Sequence, residues 1–138
     1  MILPNRGMKL TKETDEFLRR LKGRTKVTPN ILARMAFFIS VESGNRYNNE
    51  PIDLDGTLSL DKVTWLGETT LATEMTLQML HPEHTSQENT KAWAYHVMQG
   101  SKSFRNAKSI EDLVFKTRSS FCLYDCVTPA LNNYLVCI

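Results

Sequence analysis

Several things are scarce in this sequence. Cysteine is limited to three residues, an odd number, all among the last 17 positions, which excludes a disulfide framework and makes a reducing cytoplasm the expected setting. No apolar run approaches the roughly 18 residues that a membrane-spanning helix needs, so no membrane association is expected. The opening Met1-Ile2-Leu3-Pro4-Asn5-Arg6 turns polar too soon for a secretory signal. With 6 Gly and 5 Pro in 138 residues, collagen-like and low-complexity chains are excluded. An apolar content of 41% excludes a wholly disordered chain.

Catalytic motifs are missing too. There is no GxxxxGK[ST] phosphate loop, no HExxH, no GxSxG and no dinucleotide fingerprint. The paired carboxylates, Asp53 with Asp55 and Glu111 with Asp112, sit where a turn and a helix start explain them. His81 and His84 could join Cys122 and Cys126 in a zinc site, but the spacings match no common ligand set and Cys137 stands alone. His96 falls inside a helical stretch beside Trp93 and reads as structural. No enzyme activity, metal or cofactor is therefore expected.

What the sequence does have is charge segregation. The formal net charge is only +2, yet residues 1–36 carry nine Lys/Arg against three acids, residues 37–90 two against nine, and residues 91–138 six against three. Such polarity bears on partners rather than on fold. A polyanion suits the N-terminal third, unless those bases are simply a solvated face.

The basic third reads as strand, helix, helix. Gly7-Met8-Lys9-Leu10-Thr11 alternates with period two, placing Met8 and Leu10 inward. Thr11 or Thr14 caps a first helix with Phe17, Leu18 and Leu21 as its apolar stripe and Gly23 as its stop. Thr28-Pro29-Asn30 opens a second helix that is apolar around almost its whole circumference and ends near Gly44. Such a helix is buried in a domain centre or between subunits. This order is that of ribbon-helix-helix proteins, in which paired strands can lie in a DNA groove. Thr28 and Asn30 mark a helix start, a ready phosphate site, directly after Arg24 and Lys26.

Farther on, 45–60 reads as a connector in which Leu58 and Leu60 alternate as in a short strand. Residues 67–80 read as a helix with Leu71, Ala72, Met75 and Met79 as its inward face and Glu68 and Glu74 away from it. Ser86 is expected to cap a helix that Gly100 stops, with Trp93 and Val97 inward, and Ser109 to start a last, weaker one. Trp65 and Trp93 invite a base-stacking reading, although core packing suits both better. From Phe121 to Ile138, thirteen of eighteen residues are apolar. The expected organisation is a domain over 1–118 and an apolar C-terminal extension over 119–138.

Several blocks, in order, resemble the DndE family of DNA sulfur modification proteins. They are Ile2-Leu3-Pro4-Asn5-Arg6, Leu21-Lys22, Thr28-Pro29-Asn30-Ile31 with Ala33-Arg34 and Ala36-Phe37-Phe38, then Asp55-Gly56, Thr64-Trp65-Leu66-Gly67-Glu68, and Lys91-Ala92-Trp93-Ala94 with His96-Val97. The resemblance spans roughly residues 1–108. It implies a small cytoplasmic member of the bacterial phosphorothioation machinery, which replaces a non-bridging phosphate oxygen of DNA with sulfur. It further implies a ribbon-helix-helix-like fold, a homotetramer and binding to nicked duplex DNA. The sulfur chemistry is then left to partner subunits: a cysteine desulfurase and iron–sulfur and ATPase proteins.

The expected fold class is mainly α with a short N-terminal strand: a ribbon-helix-helix-like βαα unit followed by further helices, in an oligomer. The expected DNA contacts are Lys9, Lys12, Arg19, Arg20, Lys22, Arg24, Lys26, Thr28 and Asn30, acting on backbone phosphates. Met35, Phe37, Phe38 and Ile39 are the expected core and oligomer contacts. Two other readings stay open: a sequence-specific repressor reading bases through Lys9 and Thr11, and a structural adaptor docking through the acidic middle.

Overall fold

The computed structural model describes residues 1–114. The expected extension at 119–138, with Cys122, Cys126 and Cys137, lies outside the described residues. The described chain is mainly helical, with no sheet and a single antiparallel bridge, Met8 to Leu60. The expected N-terminal strand is thus one bridging residue. Met8 and Leu60 exchange both backbone hydrogen bonds (3.1 and 3.2 Å), and Gly56 N–H donates to the Leu10 carbonyl (2.9 Å). Met8 and Leu10 do point inward, being buried to 0% and 1% exposure.

Helix α1 spans Lys12–Thr25, capped by Thr11, whose hydroxyl accepts from the Thr14 N–H. Gly23 does not stop it. The helix continues to Thr25, and Lys26 takes the left-handed conformation (φ 64°), its N–H bonding back to the Lys22 carbonyl (2.9 Å). Helix α2, Pro29–Glu42, starts after Thr28 as expected. It is not buried all round: Leu32, Ala33, Ala36, Phe37, Ile39 and Ser40 are buried, Met35, Phe38 and Val41 are half-buried, and Ile31 is exposed.

The chain then runs through an irregular connector to helix α3, Lys62–Leu66, a single-turn 3-10 segment at Gly67–Thr69, and helix α4, Thr70–Leu80. Gly67 makes the break. Its φ is 51°, and a Cβ there would lie 2.6 Å from the Arg34 guanidinium, so the turn and the close approach both require glycine. The inward face expected for α4 is overturned. Leu71 (69% exposed), Ala72, Met75 (54%) and Met79 (79%) face outward, while Thr73 and Leu77 are the buried residues. Glu74 is half-buried and pairs with Lys62 at 2.9 Å.

Helix α5, Ser86–Ser101, is capped by Thr85 rather than Ser86, in a reciprocal capping box with Glu88. Gly100 is not its stop but its crossing point over α2: a Cβ at Gly100 would lie 1.7 Å from the Ala36 carbonyl oxygen. The two helices approach backbone to backbone there. Trp93 and Trp65 meet edge to face in the core (ring centroids 5.3 Å apart), and the Trp65 indole donates to the Met8 carbonyl (2.9 Å). Both rings are core, which removes them from any stacking surface. A 3-10 turn at Lys102–Phe104 follows α5, and residues 110–114 are helical after Ser109, whose hydroxyl accepts from the Asp112 N–H. No helix among the described residues is long and apolar enough to cross a membrane.

Candidate nucleic-acid interface

The expected DNA contacts separate into bases that the fold ties down and bases that it leaves open. Arg19 is tied down. Its Nε lies 3.2 Å from Asp15 Oδ1, and its guanidinium also donates to Thr57 Oγ1. Asp15 is 3% exposed, and its Oδ2 accepts from the Thr57 N–H (2.8 Å), the Thr57 hydroxyl (3.1 Å) and the Leu58 N–H (3.1 Å). This buried carboxylate anchors the connector on α1, and Arg19 closes the anchor from outside.

Asn30 is likewise engaged. Its side-chain amide donates to the Thr64 carbonyl (3.0 Å), joined there by Arg34, which donates to the Thr64 and Trp65 carbonyls (3.0 and 2.8 Å). The start of α2 is therefore stitched to the carbonyl end of α3. Thr28 is exposed and its hydroxyl makes no capping bond.

Arg20, Lys22, Arg24 and Lys26 are exposed, and none of their side chains has an ion-pair or hydrogen-bond partner among the described residues. Lys12 is exposed and Lys9 half-buried. The helical period divides the open bases between two flanks of α1. Lys22 lies on the flank of Arg19 and the connector, with Lys26 following at the cap. Arg20 and Arg24, four residues apart, share the flank of Phe17, which faces the chain after α5. An open depression there is lined by Phe17, Arg20, Gly23, Arg24 and Arg105. A second depression beside it shares Phe17 and Arg105 and adds Lys102 and Glu13. Arg105, exposed and unpartnered among the described residues, was missed in the sequence because it lies eighty positions beyond α1; the net positive charge of 91–138 was the available signal.

The expected oligomer contacts also divide. Phe37 (1% exposed) and Ile39 (2%) are filled in by their own chain, with the Phe37 ring edge-on to Phe38 and His96. They have no surface left for a partner, so only the half-buried Met35 and Phe38 keep any. The apolar stripe the sequence placed inside, Leu71, Met75 and Met79, is instead an outward face of α4, and Val63 on α3 is exposed too (69%).

The histidines form a separate group. The rings of His81 and His84 stack in parallel (centroids 4.3 Å apart), with Tyr47 edge-on to both. Burial, with the positive charges of His84 and Arg46, holds His81 below the ordinary histidine range. His96 is fully buried, as expected of a structural residue. Its Nδ1 lies 2.9 Å from Ser40 Oγ, and burial pushes its pKa down to about 4. Among the described residues, no cluster of three or more His, Cys, Asp or Glu side chains could hold a metal ion.

The family described as DNA sulphur modification protein DndE matches residues 7–112. Among solved structures, DndE from Escherichia coli B7A, involved in DNA phosphorothioation modification, is 53% identical. That alignment covers 77% of this chain and 100% of that one, with a TM-score of 0.73. A glycine-to-lysine DndE mutant involved in DNA phosphorothioation is 52% identical over 75% of this chain and 99% of that one, with a TM-score of 0.69. No curated protein sequence matches the chain.

Proposed function

Because the chain belongs to the DndE family of DNA sulphur modification proteins, we propose that it is a non-catalytic component of the DNA phosphorothioation machinery that binds duplex DNA through backbone phosphates. One observation carries this reading: Arg20, Lys22, Arg24 and Lys26, along the last turns and cap of α1, are exposed and unpartnered among the described residues. Guanidinium and ammonium groups held this way on a rigid helix suit phosphate oxygens. Lys9, Lys12 and Thr28 extend the surface. Arg19 and Asn30 belong to the scaffold that supports it. Phosphate contacts position a protein without reading sequence, so binding is largely sequence-independent. A nick lowers the cost of bending a duplex, and a fixed basic surface therefore favours nicked over intact DNA. The setting is cytoplasmic, and the sulfur chemistry falls to partner subunits.

Charge reversal tests it. A variant with Lys22, Arg24 and Lys26 all changed to Glu should lose duplex binding in a gel-shift assay while keeping the wild-type thermal melt. Retained binding at unchanged salt would remove these residues from the interface and favour the sequence-reading alternative through Lys9 and Thr11.

A second observation supports self-association and contact with other subunits of the complex. Leu71, Met75 and Met79, four residues apart, make one outward apolar face on α4, and Val63 on α3 is exposed as well; apolar faces of this kind mark interaction surfaces. On this reading the assembly is a homotetramer, which would repeat the basic surface around the oligomer. On an adaptor reading, docking through the acidic middle would be sufficient in cells and the charge-reversed variant would still support modification.

A further inference from the structure

The depression between α1 and the turn after α5 differs in character from the rest of the basic surface. Three guanidinium groups border it, Arg20 and Arg24 from one helix and Arg105 from a segment eighty positions away. None is neutralised by an acid or bonded to a carbonyl among the described residues. The ring of Phe17, half-buried against the core, supplies an apolar wall. Gly23 lines the same depression, and a Cβ there would meet nothing within 4 Å among the described residues. Packing among those residues thus gives no reason for glycine inside a helix, where it is disfavoured. An open wall at that point suits the close approach of a ligand.

A continuous duplex fits this combination poorly. Its phosphodiesters carry one negative charge each, and its bases are stacked on their neighbours and offer no free face to an aromatic ring. A terminal phosphate monoester carries about 1.5 to 2 negative charges near neutral pH and presents three acceptor oxygens. The nucleotide bearing it sits at a break, where the base can unstack and lie against an aromatic side chain. We propose that the Phe17–Arg20–Arg24–Arg105 depression is a subsite for the terminal phosphate and unstacked base of a broken DNA strand. This rests on the duplex-binding reading above and adds to it a reason for preferring a break that differs from bending alone.

The test uses the full chain and one labelled duplex sequence in four forms: intact, nicked with hydroxyls on both sides, nicked with a 5′-phosphate, and nicked with a 3′-phosphate. Fluorescence anisotropy should show one of the phosphate-bearing nicks bound several-fold tighter than the hydroxyl nick, and the tighter one identifies which end is held. Arg105→Gln should erase that difference, lowering affinity for the phosphate-bearing nick by more than it lowers affinity for the intact duplex or the hydroxyl nick. Phe17→Leu should lower affinity for the nicked forms more than for intact duplex, with its melt checked by circular dichroism. Equal binding of all three nicked forms, or phosphate discrimination that survives Arg105→Gln, would overturn the subsite and leave duplex binding standing. If none of the four forms binds, the duplex-binding reading itself fails and the subsite with it.

Discussion

Arg19 reaches back one turn along α1 to place its Nε 3.2 Å from the buried carboxylate of Asp15, while its neighbour Arg20 lines the depression beside Phe17 and has no ion-pair or hydrogen-bond partner among the described residues. Two adjacent arginines thus have different duties. One holds the connector to the helix, and the other is available to a ligand.

The pair predicts a separation of effects. Asp15→Ala removes the acceptor of three hydrogen bonds from Thr57 and Leu58. Leaving such donors unsatisfied should cost about 2–4 kcal/mol in chemical denaturation. Arg19→Gln should lower the denaturation midpoint and weaken duplex binding less than Arg20→Gln or Arg24→Gln does. Equal losses of affinity from all three arginines would show that Arg19 is part of the contact surface after all.

Gly100 predicts a steric effect without any chemistry. A single methyl group there must displace the Ala36 carbonyl, 1.7 Å from its position, and with it the crossing of α2 and α5. Overpacking of backbone against backbone should cost about 2 kcal/mol or more. Gly100→Ala should therefore melt well below wild type; an unchanged melting temperature would mean that the helices can part there freely.

His96 predicts an acid-side weakening. Its folded pKa, about 4, lies below the ordinary value of 6.5, with burial as the main cause and the positive charges of Arg46 and His81 adding to it. The unfolded chain therefore binds more protons than the folded one between those values. Stability should be fully present above about pH 6.5 and decline as pH falls toward 4, by an amount on the order of 2 kcal/mol from this residue. His81, shifted in the same direction, adds to the slope. Melting temperatures measured from pH 7.5 to 4.5 check this, and a flat profile with an unaltered His96→Gln comparison would contradict it.

The outward face of α4 predicts an effect on assembly. Leu71→Glu combined with Met75→Glu and Met79→Glu changes side chains already in contact with solvent, so folding should be retained. If the face is an oligomer contact, light scattering behind size exclusion should report a smaller particle than wild type. Phe38→Glu probes the α2 surface separately. An unchanged mass in both variants would place self-association elsewhere.

The starts of α1 and α2 were legible because their signals, Thr11 and Thr28-Pro29, are local, whereas α4 starts at Thr70 rather than at 67 and the cap of α5 is Thr85 rather than Ser86. Of the helix ends read from glycine, the one at α2 held, since that helix ends at Glu42 just before Gly44 (φ 86°), and the one at α1 did not. Gly23 lies within α1 while Lys26, a residue with no special tolerance for positive φ, makes the left-handed cap. The period of α4 was legible but its direction was not. Leu71, Met75 and Met79 share a face in any helix, and nothing local tells whether that face meets the core or another surface. The basic cluster was visible as composition. Its division into Arg19 and Asn30 as scaffold and Arg20 and Arg24 as open surface depends on Thr57 and Thr64, more than thirty positions away. Arg105 joins the site only through the return of the chain after α5.

Phosphate-directed, sequence-independent DNA binding is decided by fluorescence anisotropy across a salt series. Intact and nicked duplexes in two unrelated sequences should give the same affinities for both sequences and tighter binding to the nick. The logarithm of affinity should fall linearly with the logarithm of salt, with a slope near −0.9 per phosphate neutralised. Strong preference for one sequence, or no binding to any duplex at low salt, would contradict the account.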